Sequence, residues 1–454
     1  MSEKTISAIC TPLGTGGIAV IRVSGNDAVR IADRCFVSAG GKKLSELNGY
    51  QALFGKITEE NGDMIDEAVA LVFKAPHSFT GEDTVEFSVH GGTVTARSTL
   101  RRVLECGAVM ADHGEFSKRA FLNGKIDLAQ AESIAGMISA KSDEALKMSL
   151  SVKQGSVSSK ISKITEKLLE TAACFAAYAD FPDEDIEQLR PENFKALLND
   201  TQNSLKQLIK TFDNGRLVNN GIDCAIVGKP NVGKSTLMNM LSGFDRSIVT
   251  DIAGTTRDII ENTVNLDGMI LNLADTAGIR ETDDEVERAG VKRARERKES
   301  ALLVLAVFDS SSSLDDDDKK LLGELNPDNT VIVINKSDLE QKLSESDFKG
   351  FTEVFVSAKD KKGFSELKEA IEKTVNYKKI SQGAAVLITE RQRDCAKKAL
   401  EFTNEALKDF ESGITLDAVA VTLDSAISAL LELTGKRVTT EVADEVFKRF
   451  CIGK

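Results

Sequence analysis

The stretch "GKPNVGKST" at 228–236 limits this chain's fold more than any other segment. It matches GxxxxGK[ST], follows the β-type run "DCAIV" and precedes the helical run "LMNML". That context asks for a strand, a tight glycine turn and a helix whose first amides point at an anion. Further short β-rich runs alternate with helical stretches from about 218 to 380: "MILNLAD", "ALLVLAVFD" and "TVIVINK". Such alternation predicts a doubly wound α/β unit, a parallel sheet wrapped by helices.

The motif carries a chemistry. Asn231, Val232, Gly233, Lys234, Ser235 and Thr236 line the turn. The glycines let backbone amides cradle phosphates, Lys234 brings charge to the β- and γ-phosphates, and the Ser235 hydroxyl suits Mg²⁺. "DTAG" (Asp275, Thr276, Ala277, Gly278) ends the strand "MILNLAD", which places Asp275 toward the Mg²⁺ and the Gly278 amide toward the γ-phosphate. In "NKSD" (Asn335, Lys336, Asp338) the Asp338 carboxylate can accept from both N–H donors on the guanine edge; adenine presents no such pair. The expected nucleotide is therefore GTP. "SAK" (Ser357, Ala358, Lys359) ends the next strand and can close over the base. Between these motifs "TDIAGTTRD" spans Thr250, Asp251, Ile252, Ala253, Gly254, Thr255 and Thr256, with the adjacent threonines as switch candidates. "SSSSLDDDD" at 310–318 reads as a solvated loop and helix start, not a metal site.

The chain has 454 residues, enough for two to four domains. Residues 1–120 mix β-type alternation with short helices, as in "GIAVIRVSG" and "TVEFSVHGG"; 121–217 and 381–454 are helical in texture and flank the α/β block at 218–380. From periodicity alone the block is either inserted into one helical domain or set between two. Seven scattered cysteines, with no CxxC pair, suit a reducing cytoplasm. The start "MSEKTISAIC" has no basic region followed by an apolar core, so no secretory signal is expected, and no run is long and apolar enough for a membrane span. A net charge of −13 makes the chain a poor direct binder of nucleic acid, so RNA contact must come from a local basic patch or a partner.

Together "GKPNVGKS", "IAGTTRD", "DTAG" and "NKSD" resemble the TrmE–Era–Der group of GTPases. "TPLGTGGIAVIRVSG" at 11–25, "FTGEDTVEFSVHGG" at 79–92, "GEFSKRAFLNGKIDLAQAE" at 114–132 and the terminal "FCIGK" resemble the MnmE (TrmE) family of tRNA modification GTPases, end to end and in order. The resemblance implies an α+β folate-binding and dimerisation domain (1–120), a helical domain in two parts (121–217 and 381–454) and an inserted Ras-like G domain (218–380). It implies a cytoplasmic homodimer that joins the FAD-containing partner MnmG (GidA) in a heterotetramer and meets tRNA mostly through that partner. The pair would add an aminomethyl or carboxymethylaminomethyl group to carbon 5 of the wobble uridine, using a 5-formyl- or methylene-tetrahydrofolate.

Site roles follow from the same resemblance. "DTAGIR" has Ile279 where many GTPases use a water-orienting Gln, and the family's substitute maps onto Glu287. K⁺ takes the place of an arginine finger, with Asn231, Thr250, Ile252 and Thr255 as ligands; Ser235 and Thr256 remain for Mg²⁺. Facing G domains would dimerise across the switches to complete that site. The folate positions map onto Arg22, Glu86, Lys125 and Lys454, and the "CIGK" tail would bring the candidate thiol Cys451 near them. Two rivals differ in class. An Era- or Der-type assembly GTPase needs a KH-type module or a second nucleotide-motif set, and the sequence has neither. A non-enzymatic GTP switch has no use for a folate cleft.

Overall fold

A computed structural model describes residues 4–180, 191–244, 262–274, 301–378, 381 and 383–454. The chain divides into two compact units: residues 1–135, 157–202 and 394–454 form the first, and 136–156 and 203–393 the second. Among the described residues no helix is long and apolar enough to cross a membrane.

In the first unit the chain runs β1 (Ile6–Ile9), β2 (Ile18–Ser24), α1 (Ala28–Cys35), β3 (Phe36–Ser38), β4 (Gln51–Thr58), β5 (Met64–Phe73), β6 (Thr84–His90), α2 (Thr93–Glu105), β7 (Val109–Met110) and α3 (Glu115–Leu122). The strands form a sheet of order β3-β4-β5-β6-β2-β1-β7, antiparallel except for the β1–β7 pair. Alternation decides the faces. Ile21, Val23, Val85, Phe87, Ala70 and Val72 point to one side and are buried in a core with residues of α1 and α2. Arg22 and Glu86 point to the other side as direct cross-strand partners.

Four further helices follow: α4 (Leu128–Ser139), α5 (Asp143–Lys153), α6 (Ser156–Asp180) and α7 (Pro191–Asn220). Pro191 opens α7, where its missing N–H costs nothing.

The second unit is built on β8 (Ile222–Val227), α8 (Lys234–Phe244), β9 (Asn262–Leu266), β10 (Met269–Ala274), β11 (Leu303–Asp309), α9 (Asp316–Gly323), β12 (Thr330–Asn335), β13 (Thr352–Val356) and α10 (Phe364–Thr374). Its sheet has the order β13-β12-β11-β8-β10-β9, parallel except for β9 on β10. Strands β8, β11 and β12 are near-continuous apolar runs because both faces are covered. Val331 and Val333 fall in one core and Ile332 and Ile334 in the other, each side chain contributing about 1.5–3 kcal/mol by burial. This is the parallel α/β sheet the alternating runs predict.

The last helices are α11 (Glu390–Glu411), α12 (Leu416–Thr434) and α13 (Thr440–Phe447). Within the first unit α6, α7 and α11 meet through Phe194, whose ring lies 5.1 Å from Phe175 and 4.5 Å from Phe410. Gly435, at φ 84°, ends α12, and the Thr439 side chain accepts from the Val442 amide to start α13.

Candidate functional site

The end of β8 delivers Gly228, and α8 begins at Lys234. Two glycines of the intervening turn are required by space. Gly228 sits at φ 144°, and a Cβ there would lie 2.4 Å from the Val307 carbonyl of β11. Gly233 sits at φ 98°, and a Cβ there would lie 2.1 Å from Asn335 Nδ2. Asn231 takes the left-handed region at φ 66°, which Asn tolerates better than most residues. The Lys234 ammonium donates to the Gly228 and Lys229 carbonyls, both at 2.7 Å, so it spans the mouth of the turn. Ser235 and Thr236 are exposed on the first turn of α8, and Val232 is buried beneath it. The glycines and the helix N-terminus form a cradle that fits a nucleotide phosphate chain, and Ser235 is open to a metal ion.

The "NKSD" and "SAK" motifs lie at the ends of β12 and β13. Asn335 is 2% exposed, and its side chain is spent on backbone: Nδ2 donates to the Val232 carbonyl at 2.8 Å and Oδ1 accepts from the Ala358 amide at 3.1 Å. It therefore braces the phosphate turn against the "SAK" loop. Lys336 turns to φ 62°, and its ammonium meets Asp309 at 2.5 Å. Asp338 is exposed and accepts from the Ser357 hydroxyl at 2.7 Å, a bond that holds its carboxyl below the usual range. Ser357 also accepts from the Asp360 amide at 3.3 Å. Lys359 is exposed beside them. Thus Asn231, Lys234, Ser235, Asn335, Lys336, Asp338, Ser357 and Lys359 share one sheet end. Thr250, Asp251, Ile252, Ala253, Gly254, Thr255, Thr256, Asp275, Thr276, Ala277, Gly278 and Glu287 lie outside the described residues.

Sequence reading missed three partners here. Asp309 ends β11 and pairs with Lys336; an acid at a strand's C-terminal end was the available signal. The acid run behaves as the helix start it resembles: Asp315 caps α9 in a capping box with Asp318. Both acids also hold Lys229 of the phosphate turn, which no spacing rule announces.

A second cluster lies on the other face of the first unit's sheet, beside the small core of Ile6, Ala8, Ala111 and Phe116. Arg22 Nε donates to Glu86 at 2.8 Å, and the guanidinium stands 5.3 Å and 5.4 Å from the Phe79 and Phe116 rings. Burial pushes the Cys10 thiol up, with Arg22 and Lys454 close enough to oppose the shift and Glu86 close enough to add to it. Lys454 is brought there by the tail: Ile452 bridges His113, the Gly114 amide donates to the Cys451 carbonyl at 3.4 Å, and Gly453 lies directly against Ile9 and Cys10. Cys451 is exposed. Lys125 donates to the Pro76 carbonyl at 2.9 Å and so reaches the loop that carries Phe79. Paired charges beside two aromatic rings fit an aromatic ligand with a charged tail, as a folate is. Sequence reading missed Cys10, and it missed the buried pair in which Arg119, 5% exposed, donates to both Glu82 oxygens at 3.1 and 3.2 Å.

The family model of the GTP-binding protein TrmE N-terminus matches residues 5–125, and that of the MnmE helical domain matches 128–451. The tRNA modification GTPase MnmE of Clostridioides difficile is 38% identical over 100% of this chain and 99% of its own length. That of Acetivibrio thermocellus is 39% identical, over 100% and 99%. That of Carboxydothermus hydrogenoformans is 38% identical over the whole of both chains. Family models and full-length identity together place the chain in the MnmE family of tRNA modification GTPases.

Proposed function

We propose that this chain is a K⁺-dependent GTPase that acts in wobble-uridine modification of tRNA, with GTP held by the second unit and a tetrahydrofolate by the first. The carrying observation is the Asn335 brace, which joins the phosphate turn to the loops of Asp338 and Ser357, so that one sheet end can take both ends of a guanine nucleotide. In this reading Asp338 accepts from the guanine edge, Lys234 meets the β- and γ-phosphates, and in the Asp275, Thr276, Ala277, Gly278 motif Asp275 would serve the Mg²⁺ and the Gly278 amide the γ-phosphate. Ser235 and Thr256 would hold Mg²⁺, and Asn231, Thr250, Ile252 and Thr255 would hold K⁺; bound there, the ions would supply positive charge against that developing on the phosphates. Glu287 orients the attacking water, in the place where Ile279 cannot.

Arg22, Glu86, Lys125 and Lys454 would hold the folate, which supplies the one-carbon unit. The group added to carbon 5 of the uridine would be carboxymethylaminomethyl or aminomethyl, made with the FAD-carrying MnmG. A homodimer through the first unit is supported by apolar side chains on its sheet: Ile18, Phe54 and Val69 are 66%, 55% and 42% exposed.

Turnover of GTP in K⁺ and in Na⁺ tests the reading. Wild type is expected to slow markedly in Na⁺, Asn231→Ala to lose the K⁺ response while keeping nucleotide affinity, and Glu287→Ala to bind GTP but lose about 10²–10⁴ in rate. Equal rates in the two salts, or wild-type hydrolysis by the Glu287 variant, would remove those roles.

A further inference from the structure

We propose that Lys229 is a positioning residue for the nucleotide: its side chain latches the first half of the phosphate turn to the N-terminus of α9 instead of meeting the phosphates itself. The proposal rests on the reading of 228–236 as the GTP site.

The anchor is built before Lys229 reaches it. Asp315 accepts from the Asp318 amide at 3.0 Å, and Asp318 accepts from the Asp315 amide at 3.2 Å, so the capping box fixes both carboxylates. The Lys229 ammonium then donates to Asp315 and lies 2.8 Å from Asp318, whose side chain is only 8% exposed. The backbone of the same residue faces the other way, its carbonyl accepting from the Lys234 ammonium at 2.7 Å. Pro230 follows, with a restricted φ that limits slack in the next peptide. Asn335 holds the turn at Val232, and Lys229 holds it three residues earlier.

Charge separates this role from a direct one. Two carboxylates beside a phosphate site repel the ligand, and the lysine's ammonium is committed to them. If Lys229 acted on the phosphates, neutralising both acids would free it and tighten binding. If it is a latch, neutralising them loosens the turn.

The test is dissociation of a fluorescent GTP analogue from the full chain by stopped flow. Lys229→Ala and the double variant Asp315→Asn/Asp318→Asn should each release it about fivefold faster, the range of a partly exposed ion pair. Combining the changes should add little, because they break one contact. Lys229→Arg should release the analogue at close to the wild-type rate. Tighter binding by the double Asn variant, or wild-type release by Lys229→Ala, overturns the latch. A lower melting temperature in Lys229→Ala alone leaves the sign to the Arg and double Asn variants. Lys234→Ala is the separate control: if it binds GTP like wild type, the reading of the site fails, whatever Lys229 does.

Discussion

The side-chain amide of Asn335 occupies the space that a β-carbon on Gly233 would need: the two would stand 2.1 Å apart. Asn335 cannot yield cheaply, because Nδ2 is bonded to the Val232 carbonyl and Oδ1 to the Ala358 amide. Gly233 also sits at φ 98°.

Gly233→Ala should therefore cost GTP affinity from two sources. The backbone would pay about 1–2 kcal/mol for a side chain at positive φ. The clash would break the brace in addition. A loss of at least about tenfold in GTP affinity is expected, together with a lower melting temperature of the nucleotide-free protein, because the strain and the lost brace are present without ligand. Titration calorimetry with GDP and GTP checks it; unchanged affinity would mean that the brace does not shape the site.

The Ser357–Asp338 bond makes a pH prediction. A hydroxyl donating to a carboxylate favours the ionised form, and Asp338 is held below its usual range for that reason. Wild type should keep its GTP affinity as pH falls through the ordinary carboxylate range. In Ser357→Ala the Asp338 pKa should rise toward the ordinary value, so affinity should begin to fall at a higher pH than in wild type. Affinity measured from pH 7 to 4 gives the comparison; superimposable curves would contradict it.

The first unit offers its own test. Arg22 pairs with Glu86 at 2.8 Å between two aromatic rings, with Lys454 near. Arg22→Ala should weaken 5-formyl-tetrahydrofolate binding by tenfold or more, on the order of the loss expected when one partner of a desolvated pair is removed. GTP turnover should be unaffected. Equilibrium dialysis with the folate checks it, and wild-type affinity in the variant would leave Arg22 a structural ion pair.

Much of the second unit was legible because its chemistry is local. The phosphate turn, the strand before it and the helix after it are contiguous in sequence, and the apolar runs of β8, β11 and β12 announce a sheet covered on both faces. The acid run reads as a helix start from its charge pattern, and in the structure Asp315 and Asp318 form the capping box there. What escaped was long-range. Arg22 and Glu86 are 64 residues apart and meet through strand register. Lys229 and Asp315 are 86 apart. Asn335 reads in sequence as part of a base-recognition motif, yet its side chain is buried and committed to two backbone groups. Cys10 carries no motif, and only the folded tail brings Lys454 toward it.

The central claim, a site that selects GTP through Asp338, is tested most directly by exchanging that carboxylate for an amide and changing the base to match. Asp338→Asn replaces an acceptor with a donor, which suits the carbonyl that xanthine carries where guanine has its amino group. Steady-state hydrolysis of GTP and XTP by wild type and variant is the measurement. The account predicts that the variant loses GTP turnover at low substrate, gains XTP turnover, and shows for XTP the same K⁺ dependence that wild type shows for GTP. Undiminished GTP turnover in the variant with no gain for XTP would contradict it.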